Sequence, residues 1–86
     1  MATVASIEKI VQEMRVNRND VRFSECLKVC IYYFSKYRIN GSHYIFKTPW
    51  EGEPRINIQD RKGYVAPYQV KQVLEAVDMM EGDKNV

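Results

Sequence analysis

At 86 residues the chain has room for one modest hydrophobic core shared by every element and not for two, so a single small domain is expected. Hydrophobic residues at 45% and charged residues at 28% exclude an intrinsically disordered chain, and no apolar run approaches the ~20 residues that span a bilayer. The formal net charge of +2 is too small to name a partner by itself.

The first predicted element is an amphipathic helix from Thr3 to about residue 16, with Val4, Ile7, Ile10, Val11 and Met14 on one stripe and Glu8, Lys9, Gln12 and Glu13 opposite. The polar run Asn17-Arg18-Asn19-Asp20 stops it. A second helix is expected to begin near Ser24, a side chain suited to an N-cap. Leu27, Cys30, Ile31 and Phe34 repeat at helical spacing, and Cys26, Val29, Tyr33 and Tyr37 make a second apolar track, so this helix is expected to be buried on more than one side. It or the N-terminal helix also offers a surface for a second copy of the chain.

Three short β segments follow, about Lys36 to Asn40, His43 to Thr48 and Arg55 to Gln59. Gly41-Ser42 suits a tight hairpin between the first two, because glycine tolerates a positive φ. The run Pro49-Trp50-Glu51-Gly52-Glu53-Pro54 cannot continue a strand, and Trp50 within it reads as a hydrophobic plug or a partner contact. In the third segment Ile56 and Ile58 alternate with Arg55, Asn57 and Gln59, the pattern of a sheet with one buried face. After the polar loop Asp60 to Gly63, Pro67 fits the first turn of a last helix carrying Val70, Val73, Leu74, Val77 and Met80; Gly82 is predicted to end it and residues 82–86 to fray.

The fold class expected is therefore α+β, one domain over residues 1–86: a three-stranded antiparallel sheet with helices on one face and the other face open, in the order α-α-β-β-β-α. Cys26 and Cys30 are the only cysteines, and with one distant histidine they fall short of the ~four ligands of a zinc site. Two small core residues are the simpler reading, and no metal or cofactor is expected. The N-terminus lacks the basic and apolar pattern of a secretory signal, so the cytoplasm is the expected location, with no membrane partner.

Charge is unevenly distributed. From Lys36 to Lys71 seven basic residues face three acidic ones, a net +4, whereas Gln72 to Val86 carries a net −3. A polyanion meeting the central segment would suit this offset; so would a mixed solvated surface. The only histidine, His43, opens the second β segment immediately after Gly41-Ser42, and reads either as a surface polar residue or as a titrating catalytic group.

The segments Gly41-Ser42-His43-Tyr44-Ile45-Phe46 and Arg55 to Leu74 resemble the HicA toxin family, small ribonucleases of toxin–antitoxin pairs, over about residues 21–80. The resemblance implies an α-β-β-β-α core similar to double-stranded RNA-binding domains, here preceded by an extra N-terminal helix at residues 3–16. It further implies cleavage of messenger RNA and inhibition by a HicB-type antitoxin, and His43 matches the family's catalytic histidine. Two departures stand out. Tyr44 occupies the place where many members carry a second histidine, and the N-terminal helix lies outside the shared core.

Metal-free RNA cleavage requires a base for the 2′-hydroxyl, stabilisation of the phosphate charge and a proton for the leaving oxygen. An imidazole suits proton transfer near neutrality because its ordinary pKa is ~6.5. One histidine fills one role at a time, so a slow endoribonuclease is expected, with water, a tyrosine or a lysine supplying the other transfer. Gly41 lets a phosphate approach, Ser42 can donate to it, and Lys47 shares side parity with His43. Arg61 and Lys62 are candidate phosphate contacts or a solvated loop, Tyr44 and Tyr64 candidate base-stacking platforms, Tyr44 alternatively a core residue, and Lys71 a phosphate contact or part of a polar helix face. A catalytically silent double-stranded RNA-binding module is the alternative, although such modules cluster lysines at the start of the last helix, where this chain has only Lys71. A protein-interaction role for Tyr32, Tyr33 and Tyr37 fits better as part of partner binding than as the whole function.

Overall fold

The computed structural model describes residues 4–48 and 56–84; the Pro49 to Pro54 break with Trp50, together with Arg55, Thr3 and the last two residues, lies outside them. The described residues form α1 (Val4–Val16), α2 (Phe23–Phe34), β1 (Tyr37–Asn40), β2 (His43–Phe46), β3 (Ile56–Gln59) and α3 (Pro67–Lys84). The strands make one antiparallel sheet in the order β1-β2-β3, so the architecture is α+β with three helices among the described residues. No helix among these residues is long and apolar enough to cross a membrane.

The first helix forms as its periodicity dictates: Ile7, Val11 and Met14 are buried and Ile10 packs half-buried beside them. Past Val16 the Asn17 side-chain carbonyl accepts from the Asn19 N–H at 3.2 Å, a local turn that competes with further helix. Arg15 reaches Asp78 on α3 at 2.6 Å, an exposed pair that adds little to stability beyond the apolar contacts beneath it.

Ser24 does not cap α2. The helix starts one residue earlier at Phe23, and Arg22 before it has extended backbone with no side-chain cap. The reason is tertiary: the Phe23 N–H donates to the Gly63 carbonyl at 2.8 Å and the Val65 N–H to the Val21 carbonyl at 3.0 Å, so the loop after β3 satisfies the helix entry. At the other end Ser35 takes φ +56 and its N–H returns to the Ile31 carbonyl at 3.0 Å, which turns the chain out of the helix. Tyr37 therefore belongs to β1 rather than to the apolar track of α2. The other members of that track are where spacing put them: Cys26 and Val29 buried, Tyr33 half-buried.

Asn40 pairs with His43 across a two-residue loop, and Gly41 carries φ +65 at its first position. Ser42 is not among the positive-φ residues, so the loop has the φ signature of a II′ hairpin, which demands glycine at the first central place. A Cβ on Gly41 would meet nothing within 4 Å, so its requirement is conformational rather than steric.

Pairing fixes the two faces. Tyr37 lies opposite Phe46 and Ile39 opposite Tyr44, while Tyr44 and Phe46 lie opposite Ile58 and Ile56. Side chains alternate along a strand, so these six share one face. Phe46 and Ile58 there have no exposed surface and Ile56 has 2%. They meet α2 and α3, whose Val29, Cys30, Phe34, Val70, Val73 and Val77 complete the core. Aromatic rings join the layers, with Phe23 edge-on to Tyr44 at 5.0 Å and Tyr37 against Phe46 at 4.8 Å. The opposite face carries Arg38, Asn40, His43, Ile45, Asn57 and Gln59, and no described element covers it.

The last helix begins at Pro67 as expected and buries Val70, Val73, Leu74 and Val77, with Met80 half-buried. It does not stop at Gly82; it runs through that residue to Lys84. Glycine inside a helix costs only about 1 kcal/mol relative to alanine, which is no obligatory stop.

Because Phe46 anchors the buried face, Phe46→Ala should lower unfolding free energy by about 3–5 kcal/mol in a denaturant titration. Ile45→Ala, one residue away on the other face, should cost about 1 kcal/mol or less. Equal losses would mean that the two faces are not distinguished as described.

Candidate nucleic-acid interface and its histidine

His43 stands at the first position of the central strand, half-buried, on the uncovered face. Its Nδ1 lies 3.1 Å from Asn57 Oδ1 on the neighbouring strand. A carbonyl oxygen only accepts, so Nδ1 carries the hydrogen and donates, and in the neutral ring this puts the lone pair on Nε2. An imidazole held in that tautomer is ready to accept a proton at Nε2.

The hairpin tip is held by a second set of amides. Gln59 is the cross-strand partner of His43, and its Nε2 donates to Ser42 Oγ at 2.9 Å. The Gln59 backbone N–H in turn donates to Gln69 Oε1 at 3.1 Å. Gln69, in the first turn of α3, is 2% exposed and is the buried polar side chain of the described core. A hydrogen-bonded path thus runs from the helix layer through the end of β3 to the Gly41-Ser42 loop. Since Ser42 Oγ accepts from Gln59, its own hydrogen remains to be donated outward.

The loop after β3 lies at the same end of the sheet as His43. Asp60 Oδ1 accepts from the Gly63 N–H at 2.7 Å, and Lys62 and Gly63 take φ +54 and φ +89, a compact turn closed by paired Arg61 and Tyr64. Arg61 follows Gln59 by two residues, within about 7 Å of extended chain. Arg61 and Lys62 are exposed, and Tyr64 is 41% exposed with the Arg22 guanidinium 5.9 Å from its ring centre. That cation, at the entry to α2, was not among the residues expected from sequence.

Of the residues predicted to form a site, Gly41, Ser42 and His43 come together at the hairpin tip, with Arg61, Lys62 and Tyr64 on the adjoining loop. Lys47 shares the face of His43 but lies just past the far end of β2, about 13 Å along the chain from it at ~3.3 Å per residue. Tyr44 is not with them: it faces the helix layer, packed between Phe23 and Tyr37 at ring distances of 5.0 and 5.8 Å, and answers to the core reading. Lys71 is exposed on α3, in the helix layer rather than on the open face. Asn57, Gln59 and Gln69 escaped the sequence reading.

The thiols stand apart from this surface. Cys26 and Cys30 have no exposed area, and the Cys30 thiol is pushed well up by its hydrogen bond to Cys26 and by burial, which keeps it in the unreactive protonated form.

Compared with protein-family models, with curated proteins and with solved structures, the chain matches none.

Gln69→Leu removes the acceptor for the Gln59 N–H while keeping the buried volume. It should cost about 1–3 kcal/mol and abolish hydrogen-exchange protection at the Gln59 amide while α3 stays protected, as read by NMR. Undiminished protection at Gln59 would show that Gln69 does not hold the strand end.

Proposed function

We propose that the chain is a HicA-type toxin, a slow cytoplasmic endoribonuclease that cleaves messenger RNA with His43 and is neutralised by a HicB-type antitoxin. The α-β-β-β-α core would then be the double-stranded-RNA-binding-domain variant of the α+β architecture, with α1 added in front of it. The observation that carries this reading is the His43–Asn57 bond on an uncovered face: it leaves Nε2 as the acceptor beside a loop able to admit a phosphate.

In the proposed reaction Nε2 takes the proton of a ribose 2′-hydroxyl and the 2′-oxygen attacks the adjacent phosphorus. The bond to the 5′-oxygen breaks, that oxygen takes a proton from water, and a 2′,3′-cyclic phosphate remains. Ser42 donates to a non-bridging oxygen, and the Arg61–Lys62 loop offsets the phosphate charge. Asn57 acts through His43 as a positioning residue. With His43 the only histidine of the chain, no second imidazole shares the proton transfers, and Tyr44 is turned to the helix layer, which fits a slow enzyme.

Expression of the wild-type chain in bacteria should halt growth and degrade messenger RNA, and His43→Ala should abolish both. Equal decay with the two chains would remove His43 from the mechanism; no decay with either, while the purified chain still binds duplex RNA, would favour the non-catalytic module. Asn57→Ala should lower the rate about tenfold with little change in KM. Asn57→Asp should keep more activity and move the acidic limb of the pH–rate profile to higher pH, because a carboxylate beside Nδ1 favours the imidazolium. An unchanged profile in Asn57→Asp would exclude that positioning role.

A further inference from the structure

The open face has a second end. Beyond Phe46 the ladder continues for one more pair, the Lys47 N–H donating to the Lys36 carbonyl at 3.2 Å, so Lys36 and Lys47 sit opposite each other. Arg38 is opposite Ile45 on the same side. Lys36, Arg38, Ile45 and Lys47 line an open cleft of about 420 Å³ together with Tyr37. Three cations are thus neighbours, and no carboxylate of the described residues pairs with any of them. Like charges directly opposite on a ladder destabilise it. Their accumulation around a cleft is offset when an anion lies between them.

Resting on the reading of this face as an RNA surface, we infer that the Lys36–Arg38–Lys47 cleft anchors a backbone phosphate of single-stranded RNA. The anchored phosphate lies about two nucleotides from the one cleaved at His43. The spacing supports that offset. His43 and Lys47 are about 13 Å apart along β2, and a strand stretched to about twice the ~3.4 Å stacked phosphate spacing covers this in about two steps.

The composition of the face selects the kind of strand. At the hairpin end Asn40 and Gln59 flank His43, and Asn57 and Ile45 lie between the two ends; no aromatic ring of the described strands alternates onto that face, and Tyr37, which alternates onto the opposite face, joins only the lining of the cleft. Between the cleft and His43, contacts are therefore made to phosphate, ribose hydroxyl and base edges, without stacking on a ring of the described strands. The face is three strands across, roughly 10 Å between the outer strands, which suits one extended backbone lying along β2. A duplex would set its second strand outside the cleft. Binding is expected to be weakly dependent on base identity and strongly dependent on length and salt.

The test uses full-length His43→Ala protein, which does not consume its ligand, and fluorescence anisotropy with labelled single-stranded RNAs of two to six nucleotides. Affinity should rise about tenfold as the RNA becomes long enough to reach from His43 to the cleft, then level off. In the same background, Lys36→Gln with Arg38→Gln and Lys47→Gln should erase that rise and reduce the slope of log affinity against log salt by about 0.7, the contribution of one phosphate contact. Unfolding curves check that the variant remains folded. An unchanged length dependence and salt slope in the variant, or tighter binding of a duplex of equal length, overturns the anchor. Cleavage by the wild-type chain together with length-independent binding would overturn the anchor alone, whereas absence of binding to every RNA overturns it along with the RNA surface on which it rests.

Discussion

The burial of Phe46 under the central strand is the constraint on which the rest of the structure hangs. Its ring is fully enclosed by α2, by Tyr37 and by the isoleucines of β3. Because side chains alternate strictly along a strand, enclosing Phe46 and half-enclosing Tyr44 leaves His43, Ile45 and Lys47 no choice but the opposite face. A slip of one residue in the β2 register would drive an imidazole and a lysine into the core and a phenylalanine into water. Each misplaced polar group would cost several kcal/mol, a large part of what a small domain has in hand. The hydrophobic effect thus selects the surface on which the histidine is displayed, without any contact to the histidine itself.

Burial decides the face; amides decide the orientation on it. Asn57 fixes which imidazole nitrogen bears hydrogen, and Gln59 ties the hairpin hydroxyl to the strand next to it. Gln69 roots the arrangement by meeting the Gln59 N–H from inside the helix layer. An edge strand has outward N–H groups without a ladder partner, and one of them here is satisfied by a buried side chain instead of by water. The position of the site is therefore coupled to the docking of α3. A shift of the helix would move the strand end, then the glutamine side chain, and finally the loop at which a phosphate is proposed to approach.

The helices were legible because their apolar spacing is long and unambiguous, as in Ile7, Val11 and Met14 or Val70, Val73 and Val77. The strands were legible in outline from the glycine turn and from the alternation of Ile56 and Ile58. What local reading could not reach was decided across the fold. Ser24 is a good cap by composition, yet the carbonyl of Gly63, far along the chain, already serves the helix entry at Phe23. Tyr44 could face either way until the partner of β2 was known, and pairing with Ile58 turned it inward. Asn57 and Gln59 carry no motif. Their alternation with buried isoleucines did announce an exposed face, but only the register places them against His43 and Ser42.

The two ends of the open face solve different electrostatic problems. At the hairpin end the polar groups are mutually satisfied, so the geometry persists without a ligand and a reacting phosphate would meet donors already in place, which lowers the reorganisation needed at the moment of reaction. At the other end Lys36, Arg38 and Lys47 repel one another across a ladder and have no described acid to relieve them. Their long side chains remain solvated, so the repulsion is tolerable in the free protein and would be relieved by the proposed phosphate between them. A preorganised end and a self-repelling end are the two features that the proposed RNA strand would use, gripped at one and cleaved at the other.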